Sequence, residues 1–464
     1  MIDTSGRAGV SAGQGTRLTL LCLAGFLTAA GCLTVGVAGI DHVDQLNLLI
    51  VVVLCGITLA GLIAYRPMIF PFAFYLCAVP FDNLLQTGSG TITKYLAVFS
   101  ALVVMVVMAD RRRVLAPPLA LGIWGLLLLW CIMSMSWSQD ASQGWPLLAQ
   151  ILQLFGLYAI FSIARIRFRE LQAFAGAVVG GGVISAVYGV WLYSHGSGVI
   201  ANGVSNVRLN IVFGTHSFIN ADHFAGALIL PIALALVAAL RPVSLLKMFA
   251  LAALGPLLYA VLLSASRGSA IAIAAMWLYL LIVYRQRLQL ALGAAAALAA
   301  SAVVPNVWLR FADPTQGDAG GRFGIWAIAY QSFLHHWLIG IGSGQFRLGY
   351  SEAYLSVSLT RNIHAWAEDS HNLIAGTAVE IGVIGLGLML WAWYGQFRIA
   401  RMVPSTSAHY ELRIALEAAV IGLFIVAMTA DVMWYKYLWL AFMFGVFVRN
   451  SWLSEGAKKT ALDP

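Results

Sequence analysis

Residues 248–284 read MFALAALGPLLYAVLLSASRGSAIAIAAMWLYLLIVY: two apolar runs meeting at a small polar corner, Ser264-Ala265-Ser266, with a single cation, Arg267, behind it. A helix rises 1.5 Å per residue, so crossing a bilayer's hydrocarbon core takes roughly 20 mostly apolar residues. The pattern of apolar run and charged punctuation repeats along the chain, predicting spans at 18–40, 47–65, 67–81, 92–109, 115–137, 146–164, 171–194, 222–240, 248–265, 268–284, 288–304, 372–396, 413–430 and 433–448. Several are short or nearly fused. The expectation is therefore an all-α, polytopic transmembrane helical bundle of about 12 to 14 spans, forming one integral membrane domain over 1–464. Composition agrees: of 464 residues 61% are hydrophobic and 10% charged, with a mean hydropathy of +0.86. Soluble domains carry about a quarter of their residues as charges, so a conventional soluble enzyme is excluded.

The net charge of +8 does not indicate nucleic acid, because the basic residues sit between apolar runs and form no stripe. They read as topology signals. With a cytoplasmic N-terminus, nineteen Lys and Arg fall inside and eight outside: Lys94, Arg208, Arg267, Arg310, Arg322, Arg347, Arg361 and Lys436. The positive-inside rule favours that orientation. The first run, Leu18 to Ile40, exceeds a cleaved signal core of about 7–15 residues and is expected to remain as an anchor. Five cysteines, Cys22, Cys32, Cys55, Cys77 and Cys131, lie in or beside apolar runs and suggest neither a disulfide framework nor a metal cluster. Two outer segments are long, 195–222 and 305–371. Within the second, Trp326, Tyr330, Phe333 and Trp337 recur at intervals of three and four, predicting an amphipathic helix on the membrane surface.

Basic residues on the outer side are the ones topology leaves unexplained. Arg267 lies between two spans with no acid nearby in sequence; it either serves a function or snorkels to the headgroups. Arg208 is expected on an exposed loop, while Lys94 and Arg322 begin helices where interfacial anchoring is the plainer role. His371, in Ser370-His371-Asn372, precedes Gly382 and Gly385. On an unbroken helix all three share a face, with Asp369 or Ser370 as N-cap and a His that either caps a helix or accepts a proton. Together these residues suit a phosphate held by fork-shaped donors beside a hydroxyl to be deprotonated. Gly340-Ile341-Gly342-Ser343-Gly344-Gln345-Phe346 looks like a phosphate cradle only superficially and is read as a tight turn. Without any Asp-x-Asp, no metal site is expected, and Glu380, Glu417 and Asp431 are too scattered to mark an ion pathway.

Lys94 ahead of a span, Arg208 before Asn220-Ala221-Asp222-His223-Phe224, Ser266-Arg267-Gly268, Arg322 followed by Trp326, the 340–346 run, and His371-Asn372 with Gly382 and Gly385 form a familiar set. In these motifs, over roughly 90–390, the chain resembles the bacterial O-antigen ligase family, which shares a core with O-antigen polymerases. The Asn-Pro usual in the family reads Asn220-Ala221 here. The resemblance implies a metal-independent, inverting glycosyltransferase in the bacterial inner membrane, with no cofactor and a site facing the periplasm. The donor would be an O-antigen glycan on undecaprenyl pyrophosphate, and the acceptor a sugar hydroxyl of the lipid A core, in lipopolysaccharide biosynthesis. It further implies His371 as general base, with Arg208 and Arg267 catalytic and binding the pyrophosphate alongside Lys94 and Arg322. An O-antigen polymerase is the nearest rival. A protein O-oligosaccharyltransferase is a third reading, and a transporter of lipid-linked glycan a fourth; transport predicts broken helices and an inverted repeat that the sequence does not display.

Overall fold

In the computed structural model the chain divides into two compact units, Met1–Phe72 and Ala73–Pro464. The structure describes residues 62, 65–84, 86–87, 90–111, 114–196, 199–200, 207–209, 211–213, 217–284, 287–302, 308, 322–358 and 367–460. The expected spans 18–40 and most of 47–65 lie outside them.

The second unit is built of helices: α1 (Phe72–Ala78), α2 (Ile92–Arg111), α3 (Leu119–Ser134), α4 (Ala141–Ile163), α5 (Phe168–Ser194), α6 (Ala221–Ala227), α7 (Ile229–Ala239), α8 (Leu245–Ser264), α9 (Arg267–Val283), α10 (Arg287–Ser301), α11 (Arg322–His335), α12 (Phe346–Ser358), α13 (Leu373–Arg401), α14 (Tyr410–Ala427) and α15 (Lys436–Thr460). Among the described residues, five helical stretches are long and apolar enough to cross a membrane: Ala141–Ile163, Phe168–Ser194, Ala221–Ala239, Leu245–Ser264 and Leu373–Arg401. The expected span 67–81 is instead the seven-residue α1 running into a 3-10 turn, Val79–Leu84. Pro71 precedes that helix and Pro80 follows it, and proline cannot supply a helical N–H. The all-α expectation holds for the described residues. Three short antiparallel pairs occupy the connections: Gln86–Thr87 with Gly90–Thr91, Val199–Ile200 with Val207–Arg208, and Ile211–Phe213 with Ser217–Ile219.

Polar side chains start the helices where the sequence provides them. Asp140, Asn220, Ser244 and Ser266 accept backbone N–H bonds at the first turns of α4, α6, α8 and α9. The core lies along α15, whose segment from Tyr437 to Phe444 is buried all round. Trp439 meets Trp124 with ring centroids 5.0 Å apart, and Phe442 meets Trp393 at 5.2 Å. A helix apolar on every side belongs in the middle of a bundle.

One spanning helix is broken, contrary to the sequence expectation. At Gly382 the backbone of α13 takes φ 66°, ψ −171°, a region open to glycine and not to L side chains. The backbone groups this frees are paired with residues 337–342. Ile341 and Gly342 N–H donate to the carbonyls of Val379 and Glu380 at 3.1 and 2.8 Å, and Val383 N–H donates to Trp337 O at 2.8 Å. Trp130 Nε1 donates to Ile381 O at 3.0 Å. The 340–346 run is thus a clip on a broken helix. Its N–H groups are turned inward: Phe346 N–H donates to the Glu380 carboxylate at 3.2 Å and Gly344 N–H to the same group, so a phosphate cradle is ruled out by occupancy.

A helix forms where the aromatic spacing predicts one, α11, and its buried face is Ile325, Ile328 and Ala329, packed with Phe346 and Tyr350 of α12 and Val379 of α13. Phe323, Tyr330, Leu334 and Trp337 point outward.

Candidate active site

Four elements that are distant in sequence converge at the ends of α6, α9, α11 and α13. The strand Val207–Arg208 docks on the corner between α8 and α9. Leu209 N–H donates to Leu263 O at 3.0 Å, and Arg208 Nε donates to Ser264 O at 2.9 Å. That corner is tight because Ala265 takes a left-handed conformation, φ 50°. Arg208 Nη2 then donates to Asp222 Oδ1 at 2.8 Å, in the first turn of α6. Asp222 Oδ2 accepts from Arg322 Nη2 at 3.3 Å, and the Ser266 hydroxyl bonds the same carboxylate. One acid therefore gathers two guanidiniums separated by 114 positions of chain.

Side-chain exposures of 12%, 17% and 21% for Arg208, Asp222 and Arg322 correct the expectation of a solvated Arg208 on an outer loop. Its partner stands 14 residues on, in a different element.

Arg267 is the first residue of α9, half-buried, directly after the Ser266 cap. A cation gains nothing from a helix N-terminus, which already carries about half a positive charge. Placing Arg267 there concentrates positive potential at the corner that Arg208 also touches.

His371 lies just outside α13, in the left-handed region at φ 46°. The cap is Asn372, whose Oδ1 accepts from Ile374 and Ala375 N–H at 2.9 and 3.1 Å, and not Asp369 or Ser370 as the sequence suggested. The shared helical face expected for His371, Gly382 and Gly385 also fails. His371 precedes the helix, Gly382 breaks it, and a Cβ at Gly385 would meet its own Ile381 side chain. The residues flanking His371 hold its unusual backbone. Ser370 Oγ accepts from Asn372 N–H at 3.3 Å, Trp326 Nε1 donates to Ser370 O at 3.3 Å, and Arg347 grips Asp369 through two bonds of 2.8 and 3.1 Å. A non-glycine residue in this region costs on the order of 1–2 kcal/mol and persists only where its surroundings enforce it. Burial, then the Arg322 charge, push the imidazole below its ordinary value, against the opposing charges of Asp369, Glu368 and Asp222. Both effects favour the neutral imidazole, the form able to take a proton.

His223, beside Asp222, faces the same cluster and lies within electrostatic reach of His371. Its ring stacks on Tyr435 at 3.7 Å and Nδ1 meets the Tyr437 hydroxyl at 3.2 Å. Sequence reasoning gave neither His223 nor Asp222 a role, although both stand in a quoted motif. Glu380 and Asp431, set aside as scattered, line one small cavity of about 30 Å³.

Lys94 is not among the partners of the Asp222 carboxylate. It lines a groove of about 680 Å³ whose polar end holds Asp82, Thr91, Lys94 and Lys436, and whose walls include Val98, Leu102, Met105, Leu154 and Ile160. Lys436 Nζ pairs with Asp82 and donates to Thr91 and Thr93 Oγ1 at 3.0 and 2.9 Å.

None of the curated proteins matches the chain. A family model described as O-antigen ligase matches residues 252–390, a stretch running from α8 through the Ser266 corner, α11 and α12 to the first half of α13. It takes in Arg267, Arg322 and His371, while Arg208, Asp222 and Lys94 precede it. Over that segment, about a third of the chain, this helical protein is similar to the O-antigen ligase family.

Proposed function

We propose that the chain is an O-antigen ligase of the bacterial inner membrane, crossing it about 12 to 14 times, with its N-terminus cytoplasmic and its site facing the periplasm. It would move a glycan from undecaprenyl pyrophosphate to a sugar hydroxyl of the lipid A core. The observation that carries this reading is the meeting of Arg208 and Arg322 on one carboxylate, within electrostatic reach of a neutral His371. Guanidiniums present planar N–H forks that match phosphate oxygens, and a neutral imidazole is the group that accepts a hydroxyl proton near pH 7.

In the reaction His371 takes the proton of the acceptor hydroxyl as its oxygen attacks the anomeric carbon. The bond from that carbon to the pyrophosphate oxygen breaks, and its electron pair leaves with undecaprenyl pyrophosphate. Arg208, Arg322 and Arg267 stabilise the charge growing on the leaving group. Attack opposite the departing bond inverts the anomeric centre. The Lys94 groove, polar at one end and apolar along its length, suits the lipid portion of the donor.

Lys94, Arg267 and Lys436 stand in the first turns of α2, α9 and α15. Of the expected cytoplasmic set, Arg241 pairs with Glu411 and Arg413 with Glu417. The break at Gly382 does not favour transport, because the carbonyls of Val379, Glu380 and Ile381 are already occupied by N–H donors.

The test is transfer by purified protein supplied with undecaprenyl-pyrophosphate glycan and lipid A core, in chelator and without nucleotide. Glycan appearing on the core, and its loss by about a thousandfold or more in His371→Ala, are expected. Lengthened lipid-linked glycan with unmodified core would make the protein a polymerase, and wild-type transfer by His371→Ala would remove the base.

A further inference from the structure

Asp222 is an odd residue to find where an anionic substrate is to bind. A carboxylate there repels pyrophosphate and competes for the same donors. Yet it is the point on which the site is assembled. Its amide N–H donates to Asn220 Oδ1 at 2.9 Å, fixing it in the first turn of α6. Its two oxygens take Arg208 from the 207–208 strand and Arg322 from the first residue of α11. Arg322 has to be brought in from the 305–371 segment. The Asp222 bond ties it to the strand that carries Arg208 and to the corner that carries Ser266, and each guanidinium has five N–H donors, more than these contacts use.

We infer that Asp222 is a positioning residue: it pre-aligns the Arg208 and Arg322 guanidiniums beside His371 and, as an internal anion, moderates how tightly they hold pyrophosphate. This rests on the functional reading above. Without the carboxylate both cations would bind pyrophosphate more tightly but in poorer register with the base. Reaction rates are sensitive to such register, since displacements near 1 Å can cost about a hundredfold.

A second consequence follows for His371. The charged and titratable groups facing it are Arg322 from α11, Asp222 and His223 from α6, and Glu368 and Asp369 from its own segment. Asp222 is one of the anions favouring the imidazolium, so neutralising it leaves Arg322 less opposed and eases deprotonation of His371.

The experiment compares full-length Asp222→Asn with wild type in transfer from undecaprenyl-pyrophosphate glycan to lipid A core across pH, using inorganic pyrophosphate as inhibitor. The expected pattern is a kcat lower by about tenfold or more, pyrophosphate inhibition tighter by roughly threefold or more, and an acidic limb of kcat/KM moved down by about half a pH unit. A merely structural residue would not tighten anion binding while slowing turnover. Unchanged kcat overturns the inference, as does weaker pyrophosphate inhibition with an unmoved acidic limb. If the Asn variant does not accumulate, Asp222→Glu carries the test: the same charge on a longer arm lowers kcat and leaves the limb in place, and unchanged kcat again overturns it. Should His371→Ala be inactive and Asp222→Asn fully active, only this inference falls. If His371→Ala transfers normally, the functional reading falls first.

Discussion

His371 combines two features that rarely coincide by chance, a left-handed backbone and a half-buried ring pressed toward neutrality by burial and Arg322. A base held neutral works until it is protonated, so transfer is expected to be flat through neutral pH and to fall only below the ordinary histidine value of about 6.5. The charge relation has a sign that can be checked. Arg322 disfavours the imidazolium, so Arg322→Gln should move the acidic limb of kcat/KM upward, by about half a unit, while lowering kcat. A limb that stays fixed, or moves down, would separate Arg322 from His371 electrostatically. Arg267 and Arg322 stood out in the sequence as outer-side cations that topology leaves unexplained, and His371 through its His-Asn pair ahead of Gly382 and Gly385. Asp222 was not, because nothing in a linear pattern says that an acid in the turn after one loop will bind cations from segments 14 and 100 positions away. Arg208 was misread as solvated for the same reason.

The elements were legible wherever long apolar runs specify them, and obscure where the backbone departs from a regular helix. Placing His371, Gly382 and Gly385 on one face assumed 3.6 residues per turn throughout. That assumption fails at Gly382, whose Cβ would drive into the Leu338 carbonyl. The reciprocal contact is at Gly340, φ 72°, where a Cβ would strike the Glu380 carbonyl. The clip is therefore glycine against backbone on both sides, which explains the 340–346 run without a phosphate. Gly382→Ala is expected to lower stability by about 1–3 kcal/mol, through a strained φ and a displaced clip. Gly387, in the same helix with open space around its Cα, is the control. Gly387→Ala should be neutral or stabilising by up to about 1 kcal/mol. Thermal unfolding of the two variants in detergent reads the difference. Equal melting temperatures would mean that the break is not enforced by Gly382.

At the scale of the molecule, the proposed chemistry needs the donor's head at the arginine cluster and its lipid in an apolar channel. The Lys94 groove, about 680 Å³, lies within the range of about 300–1,000 Å³ typical of ligand pockets. Its lysine-bearing end and its aliphatic walls suit an amphiphile better than a free sugar. Gly156 lines it from the middle of α4, and no heavy atom lies within 4 Å of where its Cβ would be. A large side chain at that position would enter the groove without disturbing a packed neighbour, and leaving glycine improves the helix. Gly156→Trp is therefore expected to raise KM for undecaprenyl-pyrophosphate glycan about tenfold or more, as a bulky ring displaces lipid that would otherwise be buried. Inhibition by inorganic pyrophosphate, which has no lipid, should remain as in wild type, because the indole adds no charge and the Asp222 cluster belongs to other elements. That pairing separates occupation of the groove from damage to the catalytic end. An unchanged KM would mean that the lipid lies elsewhere, and a parallel loss of pyrophosphate inhibition would mean that the substitution reaches the arginines.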